Sequence, residues 1–104
     1  MRPIHKVRLD KVRPALILTR PVALGFLNSI SVAPITSTVL GLATEVAVGP
    51  AHGLDHDSVI SCDNITTVDR ADIGERIGYL REEDEPLLVE AIAAAFDLDL
   101  PLPS

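Results

Sequence analysis

At 104 residues the chain is long enough for one domain with a small core, and a core of that size gains from an oligomer interface, so a dimer is expected. Hydrophobic residues make up 47% and aromatics only 3%, so the core must be built from Val, Ile, Leu and Ala, and stacking on bases is a minor resource. The formal charge of −6 argues against a uniformly basic nucleic-acid binder, but it is unevenly spread: residues 81–104 set one basic residue, Arg81, against seven acidic ones, residues 1–80 balance, and residues 1–20 set six cations against Asp10 alone.

That asymmetry permits a local phosphate-binding face on an acidic protein. No apolar run approaches the roughly 20 residues of a membrane helix, and the first residues lack a secretory signal pattern. The single cysteine, Cys62, has no internal partner and reads as a small core residue. A cytoplasmic protein with no membrane association is the expectation.

The periodicity predicts a weak strand over 4–9, with Lys6 and Arg8 outward and Val7 and Leu9 inward, then a tight turn at Asp10-Lys11. A buried strand follows over 15–19 and ends at Pro21; 22–27 is a loop or one helical turn. Residues 29–35 form a β-branched strand whose Pro34 belongs at a bulge or at the strand end, because proline cannot donate to a ladder. The next strand, 43–48, puts Thr44, Val46 and Val48 on one face and Glu45 in solvent. It stops at Gly49-Pro50, and a polar loop covers 51–57.

Strands are expected at 58–62 and 64–68, with a helical turn at 69–72, while 73–80 reads equally as strand or loop. Asp84 or Glu83 caps a final helix that has Pro86 in its first turn. Leu87, Leu88, Ala91, Ile92, Ala95 and Phe96 follow helical spacing and are expected to pack on the sheet. Residues 98–104 read as a loose end. The sum is a mainly β (α+β) chain: a small, curled, SH3-like antiparallel β-barrel with a C-terminal α-helix, a single domain over 1–104.

Two apolar runs carry polar groups at their rims. Arg13-Pro14 precedes Ala15-Leu16-Ile17-Leu18, and Thr36-Ser37-Thr38 closes Val32-Ala33-Pro34-Ile35. A guanidinium holds two phosphate oxygens in its planar fork and steadies charge that builds in phosphoryl transfer; hydroxyls beside free backbone amides also suit an anion. By composition alone, Arg13 is more often a surface arginine and Thr36 a turn residue. His52, His56, Asp55 and Asp57 form the one imidazole–carboxylate cluster. Pro50 and Gly53 oppose a helix there and no third ligand is evident, so a mobile, solvated loop without metal is expected. His5 reads as a structural side chain in the first strand.

In order and spacing, Arg-Pro-Ala-Leu-Ile-Leu (13–18), Ala-Pro-Ile-Thr-Ser-Thr (33–38), Asp-Ser-Val-Ile-Ser-Cys-Asp-Asn-Ile (57–65) and Gly78-Tyr79-Leu80 resemble the MazF/PemK family of toxin endoribonucleases. The resemblance implies a metal-independent, cofactor-free, sequence-selective endoribonuclease acting on single-stranded RNA and leaving 2′,3′-cyclic phosphate and 5′-hydroxyl ends. It implies the toxin of a type II toxin–antitoxin pair, a homodimer whose groove holds RNA, and a cognate MazE-like antitoxin whose acidic segment fills that groove. It places the catalytic pair at Arg13 and Thr36. RNA contacts would come from Lys6, Lys11, Arg20, Ser37, Thr38 and Asn64, with Arg2 a further phosphate contact and Asp63 beside Asn64 near the groove.

The chain departs from the family pattern at Asp10-Lys11-Val12, where a long Gly-rich flap is reduced to a turn; selectivity is touched more than cleavage. The resemblance implies that Thr36 holds the scissile phosphate while Arg13 stabilises the pentacoordinate state and assists proton transfer; because an arginine is a poor proton acceptor, either water or an unidentified neighbour helps, or alignment supplies most of the effect. The alternative is a non-catalytic barrel, a CcdB-like topoisomerase-binding toxin or a regulator, which would need no Arg13/Thr36 pair.

Overall fold

Seven antiparallel strands and one helix make up the computed structural model, which describes residues 1–99. In chain order these are β1 (Arg2–Arg8), β2 (Val12–Ile17), β3 (Ser29–Thr36), β4 (Glu45–Val48), β5 (Ser58–Ser61), β6 (Thr66–Asp69), β7 (Ile73–Leu80) and α1 (Glu85–Ala95). The sheet runs β4-β5-β3-β2-β1-β7, with β6 joining β3. It curls into a half-closed barrel with the helix over one mouth, as the strand pattern predicts. Among the described residues no helix is long and apolar enough to cross a membrane.

The curl originates in β3, which changes partner along one edge. Ser29 to Val32 pair with β6, and Ile35 and Thr36 pair with β5. Pro34 sits at the switch. Leu18 N–H donates to Ser31 O (2.9 Å), which fixes the parity of the β2–β3 ladder: Leu16/Ala33 is a hydrogen-bonded pair, Ala15/Pro34 a non-hydrogen-bonded one. The nitrogen of Pro34 therefore faces the other edge, where the ladder has no partner strand. Pro34 is thus neither at a bulge nor at the strand end; it is inside β3 where a missing donor costs least. By the same parity Pro14 has no N–H to return to Ile35, and the β2–β3 ladder stops there.

Alternation along β2 buries both of its faces. Leu16 joins Ile4, Ala33, Ile35, Ile60 and Leu80 beneath the helix, while Ala15 and Ile17 join Val7, Ile30 and Val32 on the opposite side. β1 serves both cores by alternation: Ile4, across from Leu16, faces the helix side, and Val7, three residues on, faces the opposite core, while the register against β7 shifts between Ile4 and His5 and again between His5 and Val7. His5 is structural: its Nδ1 lies 2.9 Å from Gly74 O.

Several local expectations change in the tertiary setting. The 73–80 segment is a full strand, β7. Glu45 does not point into solvent; its carboxylate accepts from the N–H groups of Leu40, Gly41 and Leu42 (3.3, 2.8 and 2.9 Å) and holds the preceding loop. The 50–57 segment is anchored rather than loose. A 3₁₀ turn at Pro50–His52 puts the His52 ring between Gly49 N–H (3.1 Å to Nδ1) and Asp84 Oδ2 (3.1 Å from Nε2), so Nε2 carries the proton.

That contact also removes Asp84 from its expected capping role. Asp84 has a helical backbone and no side-chain cap bond, and the chain enters α1 through a 3₁₀ turn at Glu82–Asp84. Leu88, Ala91, Ile92 and Ala95 form the stripe that meets the sheet, whereas Leu87 and Phe96, one residue outside that i, i+3, i+4, i+7 set, are exposed. At the helix end Leu98 N–H donates to Ala93 O (2.8 Å); residues 100–104 of the expected loose end lie outside the described residues.

Cys62 is 1% exposed in the core beneath the helix, and burial, reinforced by the Asp63 charge, pushes its thiol up to about 11. The protonated form therefore persists far into alkali in the folded state. Iodoacetamide at pH 8 should leave Cys62 unmodified in the native protein and alkylate it fully in guanidinium, as read by intact mass; labelling of native protein at the unfolded rate would show that this core opens readily.

Candidate active site

The site forms where β2 and β3 end together. Continuing the β2–β3 register two residues past Ala15/Pro34 sets Arg13 directly across from Thr36. It is a position of the non-hydrogen-bonded kind, where opposed side chains stand closest, so the guanidinium and the hydroxyl project from the same face. That face is the one carrying Ala15, Ile17, Val32 and Pro34, away from the helix. On the other flank of Arg13 stands Val7, its register partner in β1 and fully buried. The cation therefore rises from an apolar bed at the rim of the second core.

Arg13 and Thr36 line two adjoining depressions and separate them. One, of about 350 Å³, is also lined by Leu9, Asp10, Pro34, Ser61, Asn64 and Thr66. The other, of about 270 Å³, is also lined by Lys11, Ser37, Asp55, His56 and Ser58. A third, of about 490 Å³, continues from the first past Leu9 and Thr66 toward Thr67, Asp69 and Asp72. The three adjoin as one surface track: the first and second share Arg13 and Thr36, and the first and third share Leu9, Asp10 and Thr66.

Where the first and second depressions meet, Arg13 and Lys11 stand against Asp10 and Asp55. Arg13 is held by one ion pair, Nη2 to Asp10 Oδ2 at 2.8 Å, and its side chain is only 24% exposed. Its Nε is buried with no acceptor among the described residues. A buried donor left unpaired costs on the order of 1–3 kcal/mol, a cost tolerated where a ligand oxygen completes the bond. Partial desolvation pushes Asp10 up, but the Lys11 backbone N–H and the Arg13 charge outweigh it and hold the carboxyl below its ordinary value. Thr36 Oγ1 accepts from Thr38 N–H (3.2 Å), which leaves its own proton free to donate.

Of the residues singled out in the sequence, Arg13, Thr36, Lys11, Ser37 and Asn64 converge on these depressions. Thr38 contributes its backbone N–H. Asn64 is oriented by donating from Nδ2 to Ser61 Oγ (2.8 Å), while Asp63 is turned away and accepts from Thr44 Oγ1 (2.6 Å). Lys6 and Arg20 are not brought there. Lys6 pairs with Glu75 (3.1 Å) across β1 and β7, and Arg20 lines a separate depression with Arg2, Glu82 and Glu85 at the far end of β2. Arg2 is structural, forking onto Glu85 (2.7 to 3.0 Å) and donating to Leu18 O (3.1 Å), so it ties β1 to the helix start.

Asp10, Ser61, Thr66 and His56 belong to the site but were not assigned to it from the sequence. Asp10 had a local signal, a carboxylate three residues before Arg13 across a tight turn. Ser61 and Thr66 had none, because only the partner switch of β3 brings β5 and β6 to the same rim.

The model for the PemK-like, MazF-like toxin of type II toxin–antitoxin systems matches residues 4–96. The chain belongs to this family. It is 58% identical over 99 residues to Endoribonuclease MazF3 of Mycobacterium tuberculosis, covering 95% of this chain and 96% of that protein. A second relative from the same organism, Probable endoribonuclease MazF5, is 31% identical over 86 residues, with 82% and 79% covered. Among solved structures, Mycobacterium tuberculosis toxin MazF-mt6 superposes with a TM-score of 0.94 at 56% identity, covering 95% of this chain and all of that one. The shortened turn before Arg13 is therefore compatible with an otherwise intact MazF-like barrel.

Proposed function

We propose that Arg13 and Thr36 carry out RNA cleavage in this endoribonuclease, the toxin of a type II toxin–antitoxin system. The reaction is attack of a ribose 2′-hydroxyl on the adjacent phosphorus: the new 2′-O–P bond forms, the P–O5′ bond breaks, and the ends are a 2′,3′-cyclic phosphate and a 5′-hydroxyl. Thr36 donates to a non-bridging oxygen of the scissile phosphate. Arg13 spreads its fork over the others and stabilises the charge gained in the pentacoordinate state. The mechanism needs the ribose hydroxyl, so DNA is inert, and it needs no metal.

The observation that supports this reading is that a part-buried guanidinium, its Nε–H without an acceptor among the described residues, and a free hydroxyl donor line the same two depressions. Lys11 and Ser37 on one side and Asn64 with Thr66 on the other are the RNA contacts, and Asn64 reads a base edge. The protein works in the cytoplasm as a homodimer, and its antitoxin covers the track with an acidic segment that neutralises Lys11 and Arg13. The test is incubation with mixed-sequence RNA in EDTA: new cyclic-phosphate and 5′-hydroxyl termini at a short preferred sequence are expected, and RNA that stays intact under protein excess would instead point to a non-catalytic barrel.

A further inference from the structure

The cleavage just described leaves one proton without an acceptor. Arg13 cannot take it, because a guanidinium stays charged at any working pH. Asp10 is a weak candidate: it is engaged by Arg13 at 2.8 Å, is held below its ordinary carboxyl value, and lines the depression on the Asn64 side. The depression on the Lys11 side offers one imidazole. β5 pairs Val59 with Thr36, so the residues just before β5 must pass the rim beside Thr36 and Ser37. His56 is there, lining the same 270 Å³ depression as Arg13 and Thr36.

The segment bearing it is fixed. Leu54 is buried, and Ser58 Oγ, the one buried polar residue in the described core, donates to His56 O at 3.2 Å. The ring itself is exposed, and neither nitrogen has a hydrogen-bond partner among the described residues. The charged groups facing it are Lys11 and Arg13 from the β1–β2 turn and β2, and Asp55 beside it; Asp57 turns the other way, over Gly49.

We propose that His56 is the general base of the cleavage, receiving the proton of the attacking 2′-hydroxyl on an unprotonated ring nitrogen. The departing 5′-oxygen takes a proton from water, and the imidazolium returns its own to solvent, so the step balances without a further reactant. Among the groups on that depression, an imidazole is the side-chain type suited to take a proton and return it to solvent, which favours it over Asp55. The inference rests on the Arg13/Thr36 reading of the site.

The test is single-turnover cleavage of a defined RNA by wild type, His56→Gln and His56→Ala, with RNA affinity measured separately and thermal midpoints compared. His56→Gln should slow the chemical step about 100-fold while affinity changes less than about twofold, and the acidic limb of the pH–rate profile should disappear. Added imidazole should restore part of the rate to His56→Ala. A His56→Gln protein that cleaves at the wild-type rate, or that loses affinity alone with its pH profile unchanged, overturns the assignment and makes His56 at most a phosphate contact. If wild type cleaves and Arg13→Ala does not, such a result removes only the base; if wild type leaves RNA intact, the cleavage reading itself falls.

Discussion

Arg13→Ala should abolish RNA cleavage, lowering the single-turnover rate by about a thousandfold or more while the protein stays folded. Removing one preorganised donor from a charged transition state typically costs about 10²–10³ in rate, and Arg13 supplies a full charge together with a two-pronged fork. Its setting sharpens the effect. Flanked by Val7 and Thr36 and only 24% exposed, the guanidinium acts across a part-dry contact where water screens it little. Arg13→Lys keeps the charge but not the fork, and should recover only a small part of the rate.

Thr36 separates hydroxyl from shape. Thr36→Val is nearly isosteric and removes the donor, so a loss of about 10–100-fold is expected; Thr36→Ser keeps the hydroxyl and should cleave within about fivefold of wild type. Gel analysis of end-labelled RNA gives the rates, and circular dichroism checks the fold. An Arg13→Ala protein that cleaves normally would place the chemistry elsewhere on the track.

The largest expected stability effect lies away from the site, where the turn after β4 presses against β7. Gly53 has φ +90°, and a Cβ there would overlap the Ile77 carbonyl oxygen; a Cβ on Gly78 would overlap the His52 carbonyl oxygen. Both obstacles are backbone, one in a strand and one in a turn tied down through His52 to Gly49 and Asp84, so neither yields cheaply. Gly53→Ala adds left-handed strain to the clash. Either variant should lose on the order of 3 kcal/mol or more, a fall in Tm of at least about 12 °C for a chain of this size.

Gly25→Ala is the matched control. Nothing lies within 4 Å of its Cβ position and its φ is not positive, so its Tm should stay within about 2 °C of wild type. Differential scanning calorimetry distinguishes the three. A Gly78→Ala protein as stable as wild type would mean that the turn and β7 separate readily in solution. Because His56 follows that turn, the glycine pair also governs how firmly the imidazole is presented to the site.

Much of this architecture was legible in the chain because it depends on local chemistry. Short β-branched runs bounded by Gly, Pro and Asp specify strands; a long apolar stripe behind Pro86 specifies the helix; and the polar rims of two buried runs, Arg13 and Thr36, are the residues that share two surface depressions. The basic crowding of the first twenty residues was a weaker guide, since of those cations only Lys11 and Arg13 line the depressions beside Thr36. These features need only neighbours within a few residues.

Tertiary structure alone decided what depends on which strand lies beside which. The register of β2 on β3 sets Arg13 across from Thr36, and the switch of β3 from β6 to β5 at Pro34 carries Asn64, Ser61 and Thr66 to one side of them and His56 to the other. Lys6, Arg20 and Arg2 were drawn away by the same pairing, toward Glu75 and the helix start. The physical reason is that side-chain identity fixes what a residue can do to a proton or an anion, whereas its distance from another such residue is set by hydrogen bonds between segments far apart in the chain.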